Sequence, residues 1–349
     1  MAQYLPYPAV RERDDVVVVD ASHPQGYALS HWRGANDLAD LHDDVSVGIV
    51  LKALQAGHPS AQLPWVTNNH FDVDGFLGVW SLVEPDLALS HANLLREAAL
   101  IGDFREYHPN RADADQALKL VCWINTVEAR EFYRPFGSRT EMTDSEAKYR
   151  YFIPRLAEVL QDLDAHRDDW QQEYERVKRD WNLLHPSAQG HIEKHPDLRQ
   201  QINRAPKPLH YYALFSDSAD SDLVITLYPD QRYELEYKYT TWVDLASREV
   251  LPRVDLRPLA QRLNREERSG PTWVGDGITD TGPLLRLELQ PLSKAERFAH
   301  PYQRPIHASS IAPEKWLAMV QEYFTQALQG VSPRARWTWD EMKAAVDRP

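Results

Sequence analysis

The chain has 349 residues, 43% of them hydrophobic and 26% charged, with a formal net charge of -13. Such a length suits two globular domains, and the acidic balance excludes a broad duplex-binding face, which needs dense Lys and Arg. The single cysteine, Cys122, excludes an internal disulfide and any Cys-based zinc cluster.

Charged residues from Arg11 to Asp15 interrupt the N-terminus, so it does not read as a secretory leader. No apolar run approaches the roughly 20 residues that span a bilayer. The expectation is a cytoplasmic protein with no membrane partner.

In chain order, Val16 to Asp20 is a β-branched run ending in an acid, the pattern of a buried parallel strand. Leu29-Ser30-His31-Trp32-Arg33-Gly34 reads as a loop before the first helix. That helix is expected over Asp44 to Leu54, capped by one of His42, Asp43 and Asp44, with Asp44 the first choice. Leu63 to Thr67 reads as the next strand and Leu87 to Ile101 as a helix, ending at Gly102-Asp103-Phe104. Alternating strands and helices predict an α/β domain with a mostly parallel sheet. Ala112 to Tyr133 and Asp144 to Trp181 extend it with long helices, one of them opened or kinked at Pro154. Cys122, among Leu120, Val121, Trp123 and Ile124, reads as core.

His185 to Pro208 holds three prolines and little apolar periodicity, and reads as the connection between domains. Strands are then expected over Leu209 to Phe215, Asp222 to Tyr228 and Tyr233 to Val243, with a turn at Pro229-Asp230. A helix from Leu256 to Glu267, a strand near Leu284 to Leu289 and a helix from Pro313 to Gly330 complete the chain. The predicted fold is α/β, a mostly parallel sheet with flanking helices over residues 1–200. A smaller α+β substrate or cap domain over 201–349 follows it.

The strongest chemical signal is Asn69-His70-Phe71-Asp72-Val73-Asp74-Gly75. A His and two Asp at alternating positions can point to one side of an extended segment, and mixed imidazole and carboxylate ligands suit manganese, zinc or iron. The glycine is expected to let the backbone turn sharply. The competing reading makes Asp72 or Asp74 a helix cap and His70 a core residue. Asp20, His31 and Asp103 offer further ligands from separate loops at the same expected sheet edge, where α/β sites lie. Among the arginines, Arg33 is the candidate anion clamp, since it shares a loop with His31. Arg248, Arg253 and Arg286 read as partners of nearby acids. His191 and His195 read as an exposed linker helix, and His300 and His307 as loop residues. Serine-hydrolase elbows, P-loops and dinucleotide fingerprints do not occur in the sequence.

His70-Phe71-Asp72-Val73-Asp74-Gly75 resembles the His-x-Asp-x-Asp-Gly motif of the DHH phosphoesterase superfamily. Asp20 resembles that superfamily's strand-end Asp, and Ser30-His31-Trp32 stands in a place like its Asp-His-His loop, with Ser30 and Trp32 departing from it. Asp103 is a possible counterpart of a later acid. The order is permuted, and the resemblance covers about the first 110 residues. The whole chain also resembles a bacterial domain family without assigned function.

The resemblance implies a manganese-type site with His70, Asp72 and Asp20 on one ion and Asp74, His31 and Asp103 on another. It further implies hydrolysis of a phosphate ester or anhydride in a small anionic nucleotide or metabolite, with His31 and Arg33 assisting. A mononuclear hydrolase, an iron oxygenase and a non-catalytic ligand-binding protein remain as alternatives. Oligomeric state is left open.

Overall fold

The computed structural model describes residues 1–35, 40–134, 137–185 and 189–346. It divides into two compact units: unit 1 is Met1–Arg176 with Leu245–Ser247, and unit 2 is Val177–Asp244 with Arg248–Pro349. The change of unit thus falls at Arg176–Val177, inside a helix, rather than near residue 200.

Unit 1 has four strands, β1 (Gln3–Tyr4), β2 (Val16–Val19), β3 (Tyr27–Leu29) and β4 (Trp65–Thr67), all parallel in the order β1-β4-β2-β3. The four valines of β2 are fully buried. A central strand covered on both faces has no solvent side, so its sequence does not alternate. Around the sheet lie α1 (Ser46–Gln55), α2 (Val73–Val83), α3 (Pro85–Ser90), α4 (Ala92–Phe104), α5 (Ala114–Glu131), α6 (Glu141–Gln161) and α7 (Arg167–Leu184), which runs on into unit 2. The α/β expectation holds.

Two expected helices are each divided. Leu87 to Ile101 breaks at His91 between α3 and α4. Asp144 to Trp181 breaks at Asp162, whose side chain caps the short turn Leu163–His166 by accepting from the amide of Ala165. Pro154 lies inside α6 and does not open it. Helices α2 and α4 approach closely at Gly102, where a Cβ would lie 2.5 Å from that of Val73. Phe71, Phe76, Trp123, Tyr149 and Phe152 form a buried aromatic cluster in which Tyr149 meets Phe71, and Trp123 meets Phe152, edge-on. Cys122 is buried, as its apolar neighbours predict.

Unit 2 carries β5 (His191–His195), β6 (Gln200–Arg204), β7 (Leu223–Tyr228), β8 (Arg232–Tyr237), β9 (Thr272–Gly275) and β10 (Leu284–Glu288), in the order β5-β6-β7-β8-β10-β9. Only β6 and β7 pair in parallel. Helices α8 (Tyr211–Leu214), α9 (Arg257–Glu266), α10 (Lys294–Arg297), α11 (Pro313–Ala327) and α12 (Trp339–Val346) accompany it. Ile202, Ile225, Leu235 and Leu285 share a core with Leu259 and Leu263 of α9 and Trp316, Val320 and Phe324 of α11. The turn from β7 to β8 at Pro229-Asp230 has Asp230 and Gln231 at positive φ.

Three expectations are corrected here. The presumed connection His185 to Pro208 contains β5 and β6. Strand β5 escapes recognition because it is an edge strand with polar residues, and β6 because buried Gln201 and Asn203 donate side-chain hydrogen bonds to the carbonyl of Leu214. His191 and His195 therefore end a strand, not a linker helix. Leu209 to Phe215 holds the helix α8, because His210 caps Tyr212 through Nδ1. Among the described residues no helix is long and apolar enough to cross a membrane.

Candidate metal centre

Because β2, β3 and β4 are parallel, their carboxyl ends lie on one edge, where sites of such sheets form. Asp20 follows β2, His31 follows β3, and the segment His70 to Asp72 follows β4 into the start of α2. Asp74 sits in the first turn of α2 and Asp103 in the last turn of α4. Asp20 has a φ of 49°, a left-handed conformation that Asp tolerates better than most side chains.

The six side chains form two groups that share Asp20: Asp20, His70 and Asp72, and Asp20, His31, Asp74 and Asp103. Within each group the ligand-type atoms lie within 4.8 Å of one another. Each oxygen of Asp20 faces a different imidazole, Oδ1 at 3.1 Å from Nε2 of His31 and Oδ2 at 3.3 Å from Nε2 of His70. His31 Nε2 also lies 3.8 Å from Asp74 and 3.7 Å from Asp103, and His70 Nε2 lies 2.9 Å from Asp72. The other nitrogen of each ring faces an acceptor. His31 Nδ1 meets the carbonyl of Asp44 at 2.6 Å, and His70 Nδ1 meets Oδ1 of Asn69 at 2.7 Å. A backbone carbonyl can only accept, so Nδ1 of His31 carries a proton and Nε2 is turned into the cluster, as in a ligating histidine whose outer nitrogen donates to the backbone.

The helix starts are wired through the same acids. Asp72 caps α2, its Oδ1 accepting from the amide of Gly75 at 2.9 Å, so the capping reading is also correct for this residue. Asp74 caps a different helix: its two oxygens accept from the amides of Ser46 and Val47 at the start of α1, at 2.6 and 2.7 Å. That corrects the expected cap, Asp44. The carboxylate of Asp44 instead accepts from the amides of Ala246 and Ser247, both at 2.8 Å, and from the Ser247 hydroxyl. Gly75 is required for a reason other than a sharp turn. It lies in regular helix, and a Cβ there would stand 2.0 Å from Nδ2 of Asn68.

The sequence matches the family described as "Family of unknown function (DUF6687)" over residues 1–335. The chain belongs to DUF6687. No curated protein and no solved structure matches it. The DUF6687 match spans both His and Asp groups as well as every strand of unit 2.

The electrostatics of this DUF6687 centre are those of a site short of positive charge. Among the described residues no Lys or Arg lies in ion-pair range of Asp20, Asp72, Asp74 or Asp103. Burial works to raise Asp20, but hydrogen bonds from His31 and His70 outweigh it and hold the carboxyl below its ordinary range. Burial works to lower the imidazoles. The adjoining carboxylates prevail, Asp20 raising His31 to about 9 and Asp72 with Asp20 raising His70 to about 10. Burial and the Asp20 charge raise Asp74 to about 7. Asp103 is pushed well above the carboxylate range by burial and the Asp72, Asp74 and Asp20 charges, and its buried Oδ2 accepts no hydrogen bond. Asp74 and Asp103 are thus driven towards protonation where a cation would serve, and these buried groups could hold a metal ion.

Arg33 lies half-buried in the turn after His31. The other arginines are engaged in unit 2. Arg253 donates to the carbonyls of Ile278 and Thr281, Arg286 to Asp276, and Arg248 to the carbonyl of Ala219. Sequence reasoning missed Ser46, whose hydroxyl donates to Asp20 Oδ1 at 2.8 Å, and Asn69. Asn69 adjoins the motif and had a local signal; Ser46 had none.

Proposed function

We propose that this protein is a metal-dependent hydrolase that cleaves a phosphate ester or anhydride of a small nucleotide or metabolite. The observation that carries the reading is the pair of buried His and Asp groups sharing Asp20, built from the residues that resemble the DHH phosphoesterase motifs. Asp20, His70 and Asp72 would hold one divalent ion; Asp20, His31, Asp74 and Asp103 would hold the second, with manganese the first choice. When bound, such ions supply a nucleophilic water at neutral pH and polarise the phosphoryl oxygen.

The protein's own groups set the geometry for that chemistry. Asp20 offers one oxygen to each half of the site, which ties the two halves to a single fixed point. The carbonyl of Asp44 and the side chain of Asn69 turn each Nε2 inward. Asp103 would stand in for the acid missing from the Ser30-His31-Trp32 segment. Arg33 is the proposed clamp for the substrate's anionic end.

The test is elemental analysis of protein purified without added metal, beside the Asp72→Ala/Asp74→Ala variant, followed by assay on a generic phosphodiester. Two manganese or zinc ions that vanish in the variant, together with metal-dependent turnover, are expected. One ion would favour a mononuclear enzyme, and iron with oxygen dependence an oxygenase. If neither protein holds metal even after manganese is added, the acids are structural and the reading fails.

A further inference from the structure

His70 has four polar handles, and each is held. Its amide donates to Oδ1 of Asn68 at 3.1 Å, its carbonyl accepts from the hydroxyl of Tyr149 at 2.9 Å, its Nδ1 meets Asn69, and its Nε2 faces Asp72 and Asp20. Residues 68–72 form neither helix nor strand, so their backbone groups need partners from elsewhere. Two side chains supply them for His70 alone.

We propose that Tyr149 and Asn68 are positioning residues, a clamp on the His70 backbone that sets the half of the centre formed by Asp20, His70 and Asp72. The proposal rests on the metal-site reading above. Tyr149 comes from α6, far along the chain, and its fully buried ring is fixed independently of its hydroxyl. It stacks on Tyr4 of β1 with centroids 4.7 Å apart and meets Phe71 edge-on at 5.1 Å. Phe71 is in turn covered by the ammonium of Lys148, 5.6 Å from its ring centre. Anchoring the His70 carbonyl and the Phe71 ring together fixes the alternation of this extended segment. Phe71 points into the aromatic cluster, and the side chains on either side of it point to Asp20. His31 takes its orientation from the carbonyl of Asp44. The clamp therefore acts on one half of the centre and not the other.

Tyr149→Phe deletes the hydroxyl and keeps the ring. It is best measured by manganese titration calorimetry in two backgrounds, His31→Ala, which leaves the His70 half, and His70→Ala, which leaves the His31 half. Losing a group that holds a ligand in place weakens metal binding by roughly 10–100-fold. The expected result is about tenfold weaker binding in the His31→Ala background and no change in the other. Asn68→Ala attacks the same backbone from its amide side and carries the test if Tyr149→Phe does not fold. Equal effects in both backgrounds, or a lowered unfolding temperature with unchanged metal affinity, would make the contact merely structural and overturn the proposal. Failure of the unmutated protein to bind manganese at all would instead defeat the metal reading itself.

Discussion

Both units bury carboxylates, and they solve the problem in opposite ways. In unit 2 four buried acids bring their own cations. Arg304 grips Glu234 with two hydrogen bonds at 2.9 and 3.1 Å, Arg286 pairs with Asp276 and Glu288, Arg297 joins Asp276, and Arg199 holds Asp222 at 2.9 Å. In unit 1, Asp20, Asp74 and Asp103 are as deeply buried, and among the described residues the cations in ion-pair range of them are limited to two imidazoles, beside neutral donors such as Ser46 and Val47. A buried charge is costly unless it is paired. A complete set of pairs therefore marks a structural network, and an incomplete one marks a place where positive charge is to be imported. Unit 1 also contains a control for this contrast. Buried Glu128 lies 2.7 Å from buried Lys148 and belongs with the paired, structural class.

Removing one side of a pair in unit 2 has the largest expected effect. Arg304→Met strands Glu234 in the interior, and breaking such a buried pair costs about 3–5 kcal/mol. Denaturant unfolding should register that loss, with metal content unmoved. The opposite sign is expected in unit 1. Asp103→Asn puts a neutral side chain where the fold forces an acid to take up a proton, so the metal-free protein should gain about 1 kcal/mol, as when function is exchanged for stability. The same variant should bind the ion on the His31 side more weakly. If Asp103→Asn destabilises the metal-free protein as a structural acid would, the contrast between the units fails.

The pH dependence is a gentler test. His31 and His70 are raised in the folded state, so their stabilising contribution is complete below the ordinary imidazole value of about 6.5. It is lost as pH climbs through about 9 and about 10. Asp74, raised to about 7, and Asp103 favour the folded state when protonated, and they add to the loss as pH rises from the ordinary carboxylate range. Asp20 is lowered and acts oppositely, its contribution failing only as pH falls below the ordinary carboxylate value. The melting temperature of the metal-free protein should therefore decline from mildly acidic to alkaline pH. Added manganese should raise it more at pH 8 than at pH 6, because binding displaces the same protons. A metal-induced shift that is constant across this range would separate these groups from the binding event.

Much of the architecture was legible in local pattern. The valine run of β2, the acid after it and the alternating His70 and Asp72 stand out because strand burial and side-chain alternation are properties of neighbouring residues, whereas Asp74 joins them from the first turn of α2. Where neighbours mislead, the reading failed. Strands β5 and β6 carry polar residues, at an exposed edge in one and engaged in buried hydrogen bonds in the other, so no apolar period announced them. Asp44 looked like the cap of α1 because it precedes that helix, yet the amides at its start are taken by Asp74.

The sequence by itself determined which residue types stand at the carboxyl ends of the unit 1 strands, since strand periodicity and the His-Asp-Asp spacing are local. Only the tertiary structure decided that Asp20 would be common to both groups, that Asp103 would arrive from the far end of α4, and that Tyr149 would hold His70. Those meetings depend on the strand order β1-β4-β2-β3 and on hydrogen bonds between residues as far apart in sequence as 79 positions. A one-dimensional pattern carries no information about such pairings until packing brings them within a few ångströms.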